Sequence, residues 1–314
     1  MRRLPWKIIM KSKWIAENIP NLTGKVAIIT GANSGIGFET ARALACKDAT
    51  VILACRDKDR GNAAVRQVTQ AYPDAKTEMM HLDLSDLASI RLFAGEFSSH
   101  YDRLDMLINN AGIMRPPFGK TADGFELQFG VNHLGHFALT GLLLRVITRT
   151  LKARVVTISS GGERFGKIDF GNLNAEKGYD PGAAYGQSKL ANLLFTYELQ
   201  RCFESAGVNA IAVATHPGWT VTNLQVHWRM IRALNPLIGQ KPVMGALPTL
   251  YAATAPDVGG GDYYGPDGWL GLRGYPKKLR SSNRSYDTVV AARLWAVSEN
   301  LTGARYDWPV RDVN

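Results

Sequence analysis

Cysteine is scarce in this sequence, and long apolar runs are missing altogether. Of 314 residues only Cys46, Cys55 and Cys202 are cysteines, odd in number, far apart and without a C-x-x-C pair. That pattern excludes a disulfide framework and a cysteine-built zinc site, and it fits reduced thiols in a cytoplasmic protein. No uninterrupted apolar stretch approaches the ~20 residues needed to cross a bilayer. There is no internal repeat and no low-complexity tract. Neither a Walker-type phosphate loop nor a G-x-S-x-G nucleophile elbow is present, which removes two common enzyme classes. Zinc-finger spacing and aromatic-interleaved basic strands are also lacking, so nothing marks a nucleic-acid module.

Acidic residues are missing from the start of the chain. None precedes Glu17, while Arg2, Arg3, Lys7, Lys11 and Lys13 supply half of the net charge of +10. With Leu4, Trp6, Ile8, Ile9 and Trp14, this leader can be read as an interfacial membrane-contacting segment. It can equally be read as a flexible, solvated tail over residues 1–20, and that simpler reading is preferred. Met10 offers a third reading, in which translation starts there. The leader has neither the apolar core nor the cleavage site of a secretory signal. A second basic cluster, Lys277, Lys278, Arg280 and Arg284, reads as solvated surface.

What is present is an alternation of strand and helix patterns, which predicts an α/β fold: a single-domain, Rossmann-like, doubly wound parallel sheet with helices on both faces. Strands are expected at Lys25 to Thr30, Thr50 to Ala54, Lys76 to His81, Asp105 to Asn109, Arg154 to Ser159 and Asn209 to Thr215, with a short last one at Asp262 to Tyr264. The third, being less apolar, belongs near an edge. Helices are expected at Ile36 to Cys46, Asp57 to Ala71, Asp86 to His100, Gly124 to Thr150, Tyr185 to Ala206, Val243 to Ala255 and Ser285 to Leu301. Pro248 is a difficulty inside the sixth of these. The glycine-rich stretch from Gly161 to Ala184 reads as a loop. With no linker in sight, residues 21–314 read as one catalytic domain with a substrate-covering segment near 219–242.

Two motifs carry the chemistry. TGANSGIG, Thr30 to Gly37, follows a buried strand and opens a helix. Its glycines permit a tight turn and close backbone approach to a pyrophosphate, and the helix start offers free N–H groups. Far downstream, Tyr185 and Lys189 lie four residues apart in YGQSK, one above the other on a helix face. A cation beside a phenol favours the phenolate; lowering a tyrosine pKa by roughly 3 units takes about 4 kcal/mol. A dinucleotide dock and a tunable proton donor together suggest an oxidoreductase.

TGANSGIG, Asn109-Asn110-Ala111-Gly112 and YGQSK, in this order and spacing, resemble the short-chain dehydrogenase/reductase superfamily. ACRD (Ala54 to Asp57), VNHLGHF (Val131 to Phe137) and SKLANLLF (Ser188 to Phe195) are similar to its retinol-dehydrogenase-like group, many of whose animal members carry an N-terminal membrane anchor. The resemblance implies a catalytic set of Asn132, Ser160, Tyr185 and Lys189. Ser160 would donate to the substrate oxygen, Lys189 would hold the nicotinamide ribose, and Asn132 would hold a helix distortion and a water linked to the lysine. It implies coenzyme contacts from Gly31, Asn33, Ser34, Gly35, Ile36 and Gly37, from Asp83 and Leu84 beside the adenine, and from Asn110, Ala111 and Gly112. Tyr185, Lys189, Pro217, Gly218 and Thr222 would complete them around the nicotinamide. Homo-oligomers are common in the family.

Arg56, at the end of the second strand where an NAD site usually places an acid, offers a guanidinium fork to a 2′-phosphate. NADP(H) is therefore expected in preference to NAD(H). The expected substrate is a small apolar alcohol or carbonyl compound, with Trp219, Leu224, Val226, Trp228, Met230, Ile231 and Leu234 as pocket or core residues. Asp83 reads almost as well as a turn residue, and His133 and His136 as packing or hydrogen-bonding histidines, with no metal site. Two alternatives stand beside this reading: a nucleotide-sensing Rossmann protein without turnover, and a related reductase of a carbon–carbon double bond.

Overall fold

The computed structural model describes residues 13–221 and 239–308. Strand-forming runs of Val, Ile, Ala and Leu build β1 (Val26–Thr30), β2 (Thr50–Cys55), β4 (Met106–Asn109), β5 (Ala153–Ile158) and β6 (Ala210–Thr215). Such near-continuous apolar runs suit strands covered on both faces. The more polar β3 (Thr77–His81) is the edge strand on one side, and the sheet continues through β7 (Tyr263–Pro266) to β8 (Pro276–Lys278) on the other. The order is β3-β2-β1-β4-β5-β6-β7-β8, parallel except for the antiparallel β7–β8 pair.

Alternation along each strand divides the core in two. Val26, Ile28, Leu107 and Val155 face one layer, while Ala27, Ile29, Ile108 and Val156 face the other. The first layer holds α3 (Leu87–His100), α5 (Gly135–Leu142), α6 (Leu144–Arg149), α7 (Pro181–Ala206) and α9 (Thr288–Thr302). The second holds α1 (Gly35–Ala45), α2 (Lys58–Ala71) and α8 (Pro242–Thr254). The strand order reverses between β1 and β4, and the crevice outside that reversal is where open α/β sheets take ligands.

Three expectations need refinement, and the difficulty at Pro248 resolves. The helix predicted over 124–150 is broken: a three-residue turn α4 (Leu127–Phe129) runs into a π-helical stretch, Gly130–Leu134, before α5 and α6. Gly135 N–H reaches back five residues to Gly130 O, the mark of one residue too many per turn. Second, α7 starts at Pro181, not Tyr185, because the Asp180 carboxylate accepts the Ala183 N–H at 2.6 Å and proline suits a first helical position. Third, α8 runs through Pro248; burial of Ala246, Leu247, Leu250 and Ala253 outweighs the lost rung. Fourth, Trp14 and Ile19 of the leader touch the core, although most of residues 13–20 are exposed. Trp14 meets Tyr251 edge-on at 5.2 Å, and Ile19 is buried.

Candidate active site

The C-terminal ends of β1, β4, β5 and β6 deliver the predicted motifs to one edge of the sheet. Gly31 and Gly35 both have positive φ, +66° and +58°. A Cβ on Gly37 would lie 2.5 Å from Asn110 Nδ2 and 2.6 Å from Gly31 O, so only glycine lets α1 rise this close to the turn. Ser34 caps α1 without a side-chain cap bond, and Asn33, Ser34, Gly35 and Ile36 stand at least partly open. Free N–H groups at a helix start, framed by glycine, fit the pyrophosphate of a dinucleotide. Asn110 is spent on architecture: its Nδ2 donates to Thr30 O at 2.7 Å, and the N–H groups of Asn110 and Ala111 each donate to Thr30 Oγ1 at 2.9 Å.

Arg56 directly follows β2 and is exposed, with no hydrogen-bond or ion-pair partner among the described residues. Its neighbour Asp57 is occupied as the α2 cap, accepting Arg60 N–H at 3.0 Å. Asp83 Oδ1 accepts from Ser85 N–H and Ser85 Oγ at 2.9 and 2.6 Å, a turn already closed on itself. The Leu84 side chain points into the core, leaving its backbone for any coenzyme contact.

The structure brings together Asn132, Ser160, Tyr185 and Lys189. Tyr185 and Lys189 lie on one face of α7, with the ammonium nitrogen 5.9 Å from the phenol ring centre. Lys189 Nζ donates to Ile158 O at 3.1 Å, which anchors it to the end of β5. A Cβ on Gly112 would sit 3.1 Å from Asn132 Oδ1 and 3.4 Å from Lys189 Nζ, so Gly112 lies between the two. A Cβ on Gly162 would sit 3.1 Å from the Tyr185 ring and 3.6 Å from Ser160 Oγ, which places serine and phenol side by side.

Asn132 lies in the π-helical stretch, and both amide protons and its side-chain oxygen are engaged. Oδ1 accepts Ile113 N–H at 2.8 Å; Nδ2 donates to Ile113 O at 3.0 Å and to Ser188 Oγ at 2.9 Å. Ser188 passes its own proton to Tyr185 O at 2.9 Å. The asparagine that is a poor helix former is thus fixed by the loop after β4 and by α7.

Burial shifts both partners toward their neutral forms. It pushes the Tyr185 phenol up, with the Ser160 hydroxyl acting the other way, and draws Lys189 down to about 8. The expectation that the lysine simply lowers the phenol meets this opposing desolvation. A cation on the same helix face works against it, because it favours the charged phenolate.

Pro217 and Gly218 follow β6. Gly218 has φ +65°, its N–H donates to His216 Nδ1 at 3.2 Å, and a Cβ there would collide with Leu272 O. The segment expected to cover the substrate begins here. Its ends are joined: Val221 N–H donates to Gln240 O at 3.1 Å and Gln240 N–H to Trp219 O at 2.9 Å. Thr222, Leu224, Val226, Trp228, Met230, Ile231 and Leu234 lie outside the described residues.

Several contributors escaped the sequence reading. Ser159 Oγ donates to Lys189 O at 2.7 Å, and Asn192 Nδ2 shares the Ile158 carbonyl with Lys189 at 3.1 Å. Glu163, fully buried, accepts from Ser282 N–H at 3.0 Å and holds the turn that follows Ser160. One signal was available. Residues 185, 188, 189 and 192 follow i, i+3, i+4, i+7 and place four polar side chains on one buried face of α7.

The short chain dehydrogenase family model matches residues 25–231. Mouse retinol dehydrogenase 11 is 41% identical over 306 residues, 95% of this chain and 93% of that protein. Human retinol dehydrogenase 12 is 42% identical over 292 residues, 91% and 89% of the two chains. A Mycobacterium paratuberculosis protein of known crystal structure is 44% identical, superposes with a TM-score of 0.80 and covers 94% of this chain and 100% of its own. Matched from β1 past the tyrosine and lysine, and aligned with those relatives almost end to end, the chain belongs to the short chain dehydrogenase family, in its retinol-dehydrogenase-like group.

Proposed function

We propose that this protein is an NADP(H)-dependent oxidoreductase interconverting an apolar alcohol and its carbonyl compound, with Tyr185 as the proton donor and acceptor. The convergence of Tyr185, Lys189, Ser160 and Asn132 beside Gly112 at the sheet's switch point carries this reading. The glycine turn of 31–37, Ala111, Gly112, Pro217 and Gly218 would hold the coenzyme. When bound, the nicotinamide supplies or accepts the hydride.

The chain's own residues manage the proton and the charge. In the reducing direction Tyr185 Oη gives its proton to the substrate oxygen, and the O–H electron pair stays on the phenol as phenolate. Lys189, charged below about pH 8, stabilises that phenolate at close range in a site shut off from water. Ser160, whose Oγ accepts the Gly162 N–H and keeps its proton to donate, orients the same oxygen. Asn132 holds the backbone that faces Lys189.

The coenzyme preference rests on Arg56, exposed at the tip of β2, and on the engagement of Asp57 as a helix cap. NADPH is generally kept reduced in cells, which favours carbonyl reduction. Apolar substrate character is supported by relatives named for retinol and by the apolar residues of the 219–242 segment. We further propose one catalytic domain, a cytoplasmic location testable by cell fractionation, and a homo-oligomer testable by light scattering. The deciding experiment follows NADPH absorbance against a panel of aldehydes, ketones and quinones. Tyr185→Phe should keep coenzyme binding and lose turnover; full activity in the purified variant would refute the proton role. A product reduced at a carbon–carbon double bond would favour the alternative reductase.

A further inference from the structure

His136 is used by nothing in the proposed reaction, yet both of its ring nitrogens are engaged at the centre of the site. It lies in the first turn of α5 and is 1% exposed. Nδ1 is 3.0 Å from the carbonyl oxygen of Asn132. A carbonyl only accepts, so Nδ1 carries the proton. The neutral ring then has one lone pair left, on Nε2, 2.9 Å from Thr30 Oγ1. The threonine hydroxyl must therefore donate to it.

That assignment closes the count. A hydroxyl has one proton and two lone pairs. With the proton on His136, the lone pairs receive the N–H groups of Asn110 and Ala111. The competing acceptor for the proton, Ile108 O, is at 3.5 Å and loses to a partner at 2.9 Å. The Thr30 hydroxyl is thereby fully engaged, with the Asn110 N–H shared between it and Ile108 O, each at 2.9 Å, and the proton order from His136 to Thr30 runs in a single direction.

A cationic ring would break this order. It would bring a third N–H to a hydroxyl that already accepts two. The titratable groups facing the ring are Lys189 from α7 and His133 from the π-helical stretch; β1 and the loop after β4 present uncharged Thr30 and Asn110. Burial, with the Lys189 charge beside it, holds His136 down at about 4 and so keeps it neutral.

We infer that His136 is a positioning residue: its ring braces the backbone of Asn132 against the strand that carries the glycine turn. The bracing matters because Asn132 sits where the helix is unwound into a π turn. Its side chain is fixed by Ile113 and Ser188, and its main chain is fixed by His136. A Cβ on Gly112 would meet both Asn132 Oδ1 and Lys189 Nζ, so the asparagine so held lies near the lysine, across Gly112. The same threonine oxygen that anchors the ring also orients Asn110 and Ala111. The imidazole thus ties the coenzyme turn to the catalytic asparagine across three elements.

The inference rests on the proposed oxidoreduction for its kinetic arm only. Nitrogen-15 NMR of histidine-labelled full-length protein at pH 7 should show one ring in the Nδ1–H form whose signals vanish in His136→Phe or His136→Asn. An Nε2–H or cationic ring would overturn the assignment. Kinetically, His136→Phe should lower kcat by about 10- to 100-fold, the scale of a misplaced catalytic group. The KM for NADPH should change less than about threefold, since the turn itself is intact. The pH of half-maximal kcat should move, because Lys189 loses a fixed neighbour. His136→Asn, whose amide nitrogen can still donate to the Asn132 carbonyl, should recover most of kcat and the original pH profile. An unchanged kcat in folded His136→Phe, or equal losses in the two variants, would overturn the inference. A wild-type protein inert with every substrate would refute the reaction, while the NMR result would still decide the role of His136.

Discussion

Tyr185 and Lys189 are both withdrawn from water, and what each can do follows from the few atoms that remain within reach. The amine keeps one carbonyl, Ile158 O, and two spare protons for other acceptors. The phenol keeps Ser160. Arg56 is the opposite case, a charge in open solvent whose only distinction is its address at the tip of β2. Arg56→Asp should weaken NADPH binding while sparing or improving NADH, as titrated by coenzyme fluorescence. Loss of one charge-assisted pair costs about 1.5–3 kcal/mol, or roughly 10- to 150-fold. An unaltered preference would remove Arg56 as the selector. At this scale the motif residues were legible because their spacing is local: glycines in a turn, tyrosine and lysine on one helix face. Ser188, Asn192 and His136 were not, since their partners Asn132, Ile158 and Thr30 lie tens of residues away and meet them only in the folded chain.

Among the elements, local signals located the strands and most helix starts. Asp57, Asp86 and Asp287 cap α2, α3 and α9 through their carboxylates, as a capping reading of the sequence allows. Asp180-Pro181 was an equally local signal for α7, hidden by the glycines around it. Asp180→Ala should remove that cap and cost about 1 kcal/mol, read as a lower denaturation midpoint with an unchanged slope. A midpoint equal to wild type would show that α7 is held by packing alone. The π-helical stretch was less legible, because one surplus residue per turn leaves no compositional mark. Only the awkward Asn132 hinted at it. The antiparallel β8, just Pro276–Lys278, was illegible: it forms because β7 offers an edge. Its proline and exposed lysines discourage a further strand from adding there.

At the scale of the whole fold, three neutral histidines are buried among the described residues. Burial holds His133 at about 3 and His136 and His216 at about 4, below the ~6.5 of an unfolded chain. Between these values the unfolded chain binds more protons than the folded one, so stability rises with pH there and falls as pH drops. Each histidine contributes up to about 1.4 kcal/mol per pH unit. Urea titrations should show little change in stability from pH 8 to 7, and a steepening loss from about 6.5 toward 4. A flat profile across that window would contradict the neutral burial of these rings.

The pairing of Thr220 with Gln240 beside the Pro217-Gly218 turn has a consequence for how such a protein diversifies. Chain that leaves and re-enters a scaffold at one clamped point is thermodynamically cheap to exchange, because doubling its length adds only about 0.6 kcal/mol of closure entropy. Exchange of residues 223–238 as a cassette is the expected outcome, to be tested directly. A short glycine-serine replacement should leave the melting temperature and coenzyme affinity near wild type while redrawing the range of compounds turned over. Unfolding of that chimera would show the insert to be part of the scaffold instead.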